Sequence, residues 1–159
     1  MAPLHTVQLT GRADWALMIT FHDALRRDLD QLLHPAVSHA SARARWSTFR
    51  SQLRSHLAAE QAVMWPPVRA KLAGDPHGQA LLDALEDEAQ LLGPLQVMID
   101  DAFTIRADPG RLRQLLARLR ARLASHLAHE EADAQLPAPT RLLYRTVWLP
   151  RYARTTPPL

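Results

Sequence analysis

Apolar side chains recur three and four positions apart along most of this sequence, and no stretch alternates apolar and polar residues in the two-residue rhythm of a strand. The first block runs from about Gly11 to Leu33, where Trp15, Met18, His22, Leu25, Leu29 and Leu32 make one stripe ahead of Pro35. A second spans about Ser41 to Met64 with Trp46, Phe49, Leu53, His56, Glu60 and Val63 in line. Trp65-Pro66-Pro67 predicts a stop there, with a brief resumption to Leu72. Gly74-Asp75-Pro76 then supplies a C-terminal glycine, a capping aspartate and a first-turn proline, so a third helix starts at Pro76. Its stripe is Leu82, Leu85, Ala89, Leu92, Gln96, Ile99 and Phe103, and Gly93-Pro94 predicts a kink midway. Asp108-Pro109 repeats the start signal for a fourth helix that runs to about Ala134 with Leu112, Leu116, Leu119, Leu123, His126 and Glu130 in register. Amphipathic helices joined by short links predict an all-α, antiparallel up-down four-helix bundle over residues 11–135. From 136 to 159 the chain is a proline-punctuated basic and aromatic tail. Its amphipathic stretch, Arg141 to Leu149, carries Leu142, Leu143, Tyr144, Val147 and Trp148 and is expected to pack on the bundle or on a protein partner.

Three of the stripes carry polar residues where an apolar one is expected: His22, then His56 with Glu60, then His126 with Glu130. Residues four apart share a helix face, so each His-x-x-x-Glu pair presents a nitrogen and an oxygen to one point on the bundle axis. Burying two carboxylates without a countercharge costs several kcal/mol each, and no stripe position offers Lys or Arg. A cation supplies the missing charge, and three imidazoles with two carboxylates suit iron or manganese.

Composition narrows the chemistry further. The 159 residues fit one domain, and the absence of cysteine removes thiolate sites and disulfides, leaving His and carboxylate as ligands. The beginning of the chain has no secretory pattern and no apolar run would cross a bilayer, so a cytoplasmic protein with no membrane partner is expected. The net charge of +3 comes from arginine, Lys71 being the only lysine. Such a bias does not by itself point to nucleic acid, and the run Arg118, Arg120, Arg122 reads as a solvated face. His5, His34, His39 and His77 read as solvated, whereas Asp23, Gln61, His129 and Glu131 flank the stripe residues as surface groups or as groups that orient an imidazole.

Four segments carry a resemblance to a known family: FHDALRRDL around His22, HLAAEQAVMWPPV from His56, LEDEAQLLGPL on the third helix and HLAHEE from His126. Over about Trp15 to Glu131 the chain resembles the hemerythrin-like, or HHE cation-binding, proteins. The resemblance implies a non-haem di-iron centre with bridging glutamates, and a small oxidant such as dioxygen, peroxide or nitric oxide as its ligand or substrate, with oxidoreductase activity one outcome. Carried onto this chain, His22, His56, Glu60, His126 and Glu130 are the implied metal ligands. The family's LExEH reads LEDEA here, so Ala89 stands where a histidine would bind. Water or substrate fills that position, Glu86 swings in from one turn earlier, or a single metal binds tightly; the open position is the favoured reading. Asp133 to Pro139, polar and proline-broken, predicts an early end to the fourth helix and a more exposed site. Two competing functions follow from the same residues: an oxygenase admitting an organic substrate at the open position, or a metal-free helical interaction module working through its tail.

Overall fold

The computed structural model describes residues 11–35 and 38–133. The side chains of Trp15 and Val63 and the whole tail, Arg141 to Leu149 included, lie outside the described residues. The helices are α1 (Gly11–Leu33), α2 (His39–Ala59), a π-helical turn (Glu60–Met64), α3 (Trp65–Lys71), α4 (Pro76–Thr104) and α5 (Pro109–Asp133), with no strand among the described residues. Cross-helix contacts fix their directions. His22 meets His56 edge-on while Gln31 takes a 2.7 Å hydrogen bond from Arg45, so α1 and α2 run oppositely. The Trp46 indole N–H donates to Asp100 at 2.8 Å and Arg69 pairs with Asp83 at 2.8 Å, which reverses α4 against α2 and α3. Arg120 reaches Asp30 at 2.7 Å while Glu131 reaches His22, which reverses α5 against α1. Four rods in up-down order therefore enclose one axis, with α2 and α3 sharing a rod.

Local chemistry sets the ends. Ser38 caps α2, its hydroxyl accepting from the Ser41 N–H at 3.2 Å, so this helix starts earlier than the apolar stripe alone indicates. Gly74 adopts φ 92°, a left-handed conformation that glycine takes without steric penalty, and Asp75 accepts from the Gly78 N–H at 3.1 Å to start α4. Asp108 accepts from the Arg111 N–H in the same way at α5.

The expected stop at Trp65 does not occur. The Trp65 backbone N–H reaches back five residues to the Glu60 carbonyl, and this widened turn carries the rod on into α3. Pro66 and Pro67 then fall in the first turn of α3, where a missing N–H costs little. Beyond this turn Trp65 and Val68 are buried, five and eight positions after Glu60, a spacing that fits one residue added to the turn. In α4 the helix runs unbroken through Gly93-Pro94.

Leu25, Leu29, Leu53, Leu92, Ile99, Leu119, Leu123 and Leu127 are sealed in one continuous apolar cluster with Trp46, Phe49 and Phe103. Met18, Trp65, Val68, Leu82, Leu85 and Ala89 are buried outside that cluster, toward the other end of the bundle. A layer of buried polar side chains lies between the two groups. No helix among the described residues is long and apolar enough to cross a membrane.

Candidate metal centre

The polar layer consists of His22, His56, Glu60, His126 and Glu130, none more than 2% exposed. α1 contributes one imidazole, while α2 with its π-helical turn and α5 each contribute a His-x-x-x-Glu pair one turn long. Nitrogen and oxygen atoms of His22, His56, Glu60 and Glu130 lie within 4.8 Å of one another. His126 joins them, its Nε2 3.8 Å from Glu60 Oε2 and 3.5 Å from Glu130 Oε1. His56 Nε2 stands 2.8 Å from Glu60 Oε1, and His22 Nε2 3.5 Å from Glu130 Oε2.

These approaches are close in space without being aligned hydrogen bonds. His22 Nε2, both nitrogens of His56 and of His126, Glu60 Oε2 and both oxygens of Glu130 have no hydrogen-bond partner, although all are shut off from solvent. An unpaired buried polar atom costs about 1–3 kcal/mol, and more when charged, and one layer that gathers so many has the donor set a cation needs. Soft ligands are absent, and imidazole with carboxylate fits first-row transition metals. The residues present thus fit a metal ion.

Residues 14–135 match the family model of the hemerythrin HHE cation-binding domain. The chain belongs to this family. No curated protein and no solved structure matches it.

Electrostatics prepares the HHE layer for a cation. Burial, then the neighbouring His56, lowers the His22 pKa to about 3, so this imidazole is neutral and offers a lone pair at physiological pH. Burial alone would raise Glu60, but the close imidazoles of His56 and His126 outweigh it and hold the carboxyl below its ordinary range. Glu130 is raised well above that range, by burial and then by the charge of Glu60 beside it. Without a cation, burial and the Glu60 charge thus favour a proton on Glu130, and such a proton must leave for Glu130 to bind a metal.

A further set of contacts aims the imidazoles. His22 donates from Nδ1 to Glu131 Oε1 at 2.9 Å, and Arg26 grips the same oxygen at 2.8 Å. An ionised carboxylate only accepts, so Nδ1 carries the hydrogen and Nε2 faces the layer with its lone pair. On α5, His129 bonds Glu88 Oε1 at 2.7 Å, and Glu88 Oε2 lies 3.8 Å from His126 Nδ1. Glu88 escapes a sequence reading because it stands one position off the α4 stripe. The available signal is its place beside Ala89, at the level of the missing histidine. Glu131→Gln is expected to weaken metal affinity about 10–100-fold, as loss of such orienting partners does, while helix content stays unchanged. Competition with a chromophoric chelator measures this, and unaltered affinity would mean that the His22–Glu131 bond does not orient the ligand.

Glu86 is not brought to the layer. Its carboxylate bonds Arg69 at 3.0 Å, at the rim of the α3–α4 contact, so the guanidinium that also holds Asp83 keeps it outside. Ala89 is buried beside a groove of about 440 Å³ between α2 and α4, which Leu57, Ala58, Gly93 and Gln96 also line. The more exposed site expected from the sequence after Glu131 is not found among the described residues, where Glu130 is 2% exposed; residues 134–139, on which the expected early end of the helix falls, lie outside the described residues.

Proposed function

We propose that this chain is a cytoplasmic non-haem iron protein that holds a di-iron centre in the polar layer and binds or reacts with a small oxidant: dioxygen, peroxide or nitric oxide. The observation that carries the reading is the ring of buried, unpartnered nitrogen and oxygen atoms from three histidines and two glutamates on three of the four rods. His22, His56 and His126 would hold the ions through imidazole nitrogen, and Glu60 and Glu130, which approach imidazoles on more than one helix, would bridge them. Bound there, a redox-active metal with an open position supplies electron transfer to a small ligand.

The protein's own residues do the rest. Burial keeps bulk water from the layer, Glu131 and Arg26 fix the His22 ring, and Glu88 stands behind His126. Ala89 leaves the α4 side without a histidine, which favours a position free for the oxidant. Protein purified from iron-supplied cells is expected to contain stoichiometric iron. After anaerobic reduction it should develop a charge-transfer absorption band when air is admitted; a stable band identifies a carrier and a transient one a catalyst. Protein without stoichiometric iron or manganese that also fails to take up either ion on reconstitution would overturn the reading.

A further inference from the structure

α4 carries an outward face that the bundle leaves uncovered. Ala84, Asp87, Leu91, Pro94, Met98, Asp101 and Ile105 are all exposed, and their alternating spacing of three and four puts them along one side of the helix and its C-cap. Within this stripe Leu91 is 50% exposed and Ile105 71%, an unusual display for large aliphatic side chains in line. α4 is also strongly acidic, with Asp83, Glu86, Asp87, Glu88, Asp100 and Asp101 and no Lys or Arg. Arg69 takes Asp83 and Glu86, His129 takes Glu88, and Arg50 takes Asp100. Asp87 and Asp101, the two acids in the apolar stripe, have no ion-pair partner among the described residues.

The sequence after α5 has the complementary character. Residues 134–159 contain Arg141, Arg145, Arg151 and Arg154 and no Asp or Glu, and Arg141 to Leu149 interleaves arginine with Leu142, Leu143, Val147 and Trp148. Glu88 bonds His129 and lies 3.8 Å from His126, so the last turns of α5 lie beside the middle turns of α4, close to where the stripe begins. Seven residues separate Asp133 from Arg141, and an extended chain covers about 3.3 Å per residue, enough to cross onto that face.

We propose that the segment Arg141–Leu149 docks intramolecularly along the outward face of α4, with its aliphatic and aromatic side chains over Leu91, Met98 and Ile105 and its arginines on Asp87 and Asp101. A second copy of the chain is the poorer occupant, because α4 against α4 would set acid against acid with no compensating base.

Limited trypsin digestion of the full-length protein, read by mass spectrometry at the bonds after Arg141 and Arg145, tests this. Docking is expected to slow those cleavages about tenfold relative to the Met98→Glu variant. The double variant Asp87→Arg, Asp101→Arg should release the segment similarly without touching the apolar contact, and circular dichroism checks that both variants remain folded. Equal cleavage rates in wild type and in both variants would overturn the proposal. So would protection that grows with protein concentration alongside a dimer in sedimentation, since a second copy would then be the occupant.

Discussion

Protein in which Glu60 and Glu130 are both glutamine is expected to carry no stoichiometric metal, whereas the wild type prepared alongside it is loaded. Each change removes a charge that the layer needs to hold a divalent ion while keeping the shape of the side chain, so a lost fold does not explain the result. The same chemistry predicts an opposite effect on the metal-free chain. Glu130 has a folded pKa raised well above the ordinary carboxyl value, so the stability associated with its proton is complete below the unfolded value and is lost as pH rises through the folded one. His22, lowered to about 3, behaves in reverse: its contribution is present above the unfolded value of about 6.5 and is lost as pH falls toward 3. Glu60, also lowered, matters only at acid pH. About one unit above pH 6.5 the unfolded imidazole is largely neutral, and the Glu130 effect is isolated from both. In excess chelator, wild-type stability should decline there as pH rises toward the folded Glu130 value, by at most about 1.4 kcal/mol per pH unit, and Glu130→Gln should flatten that slope. Urea unfolding at a series of pH values upward from about 7.5 measures it; identical slopes would show that Glu130 is already ionised in the metal-free fold.

Leu119→Ala is expected to destabilise the chain by about 2–5 kcal/mol, the range for a fully enclosed leucine whose surroundings relax only partly. Leu119 is 0% exposed in the continuous apolar cluster, two turns below His126 on the same face of α5. Leu91→Ala, half exposed on α4, is the matched comparison and should cost far less. Denaturant midpoints in excess chelator separate packing from metal binding. A Leu119→Ala cost below that of Leu91→Ala would mean that the cluster is not the stabilising core described.

Much of this architecture is legible in the residues because helix periodicity and capping chemistry are local. Asp75-Pro76 and Asp108-Pro109 mark the starts of α4 and α5 through side chains that bond the backbone a turn away. The five polar residues of the layer could be picked out because each interrupts an apolar stripe at the position where its helix turns inward. What escaped depends on geometry that no spacing encodes. Glu88 owes its role to which neighbouring helix it faces, and Glu86 is drawn to Arg69, seventeen residues away in sequence. The stop expected at Trp65-Pro66-Pro67 rested on proline's missing N–H and ring clash, which the widened turn at Glu60–Met64 accommodates by placing both prolines in the first turn of α3.

That turn at Glu60 makes the second rod two segments of different phase. One residue added to a turn rotates everything beyond it by about 100° about the axis. Upstream, His56 and Glu60 keep the orientation the ion demands; downstream, Trp65 and Val68 find the interior on an independent setting, and Arg69 is left free to clamp α4. The wide turn thus works as a rotary coupling, which lets coordination and packing be tuned separately along a single continuous helix.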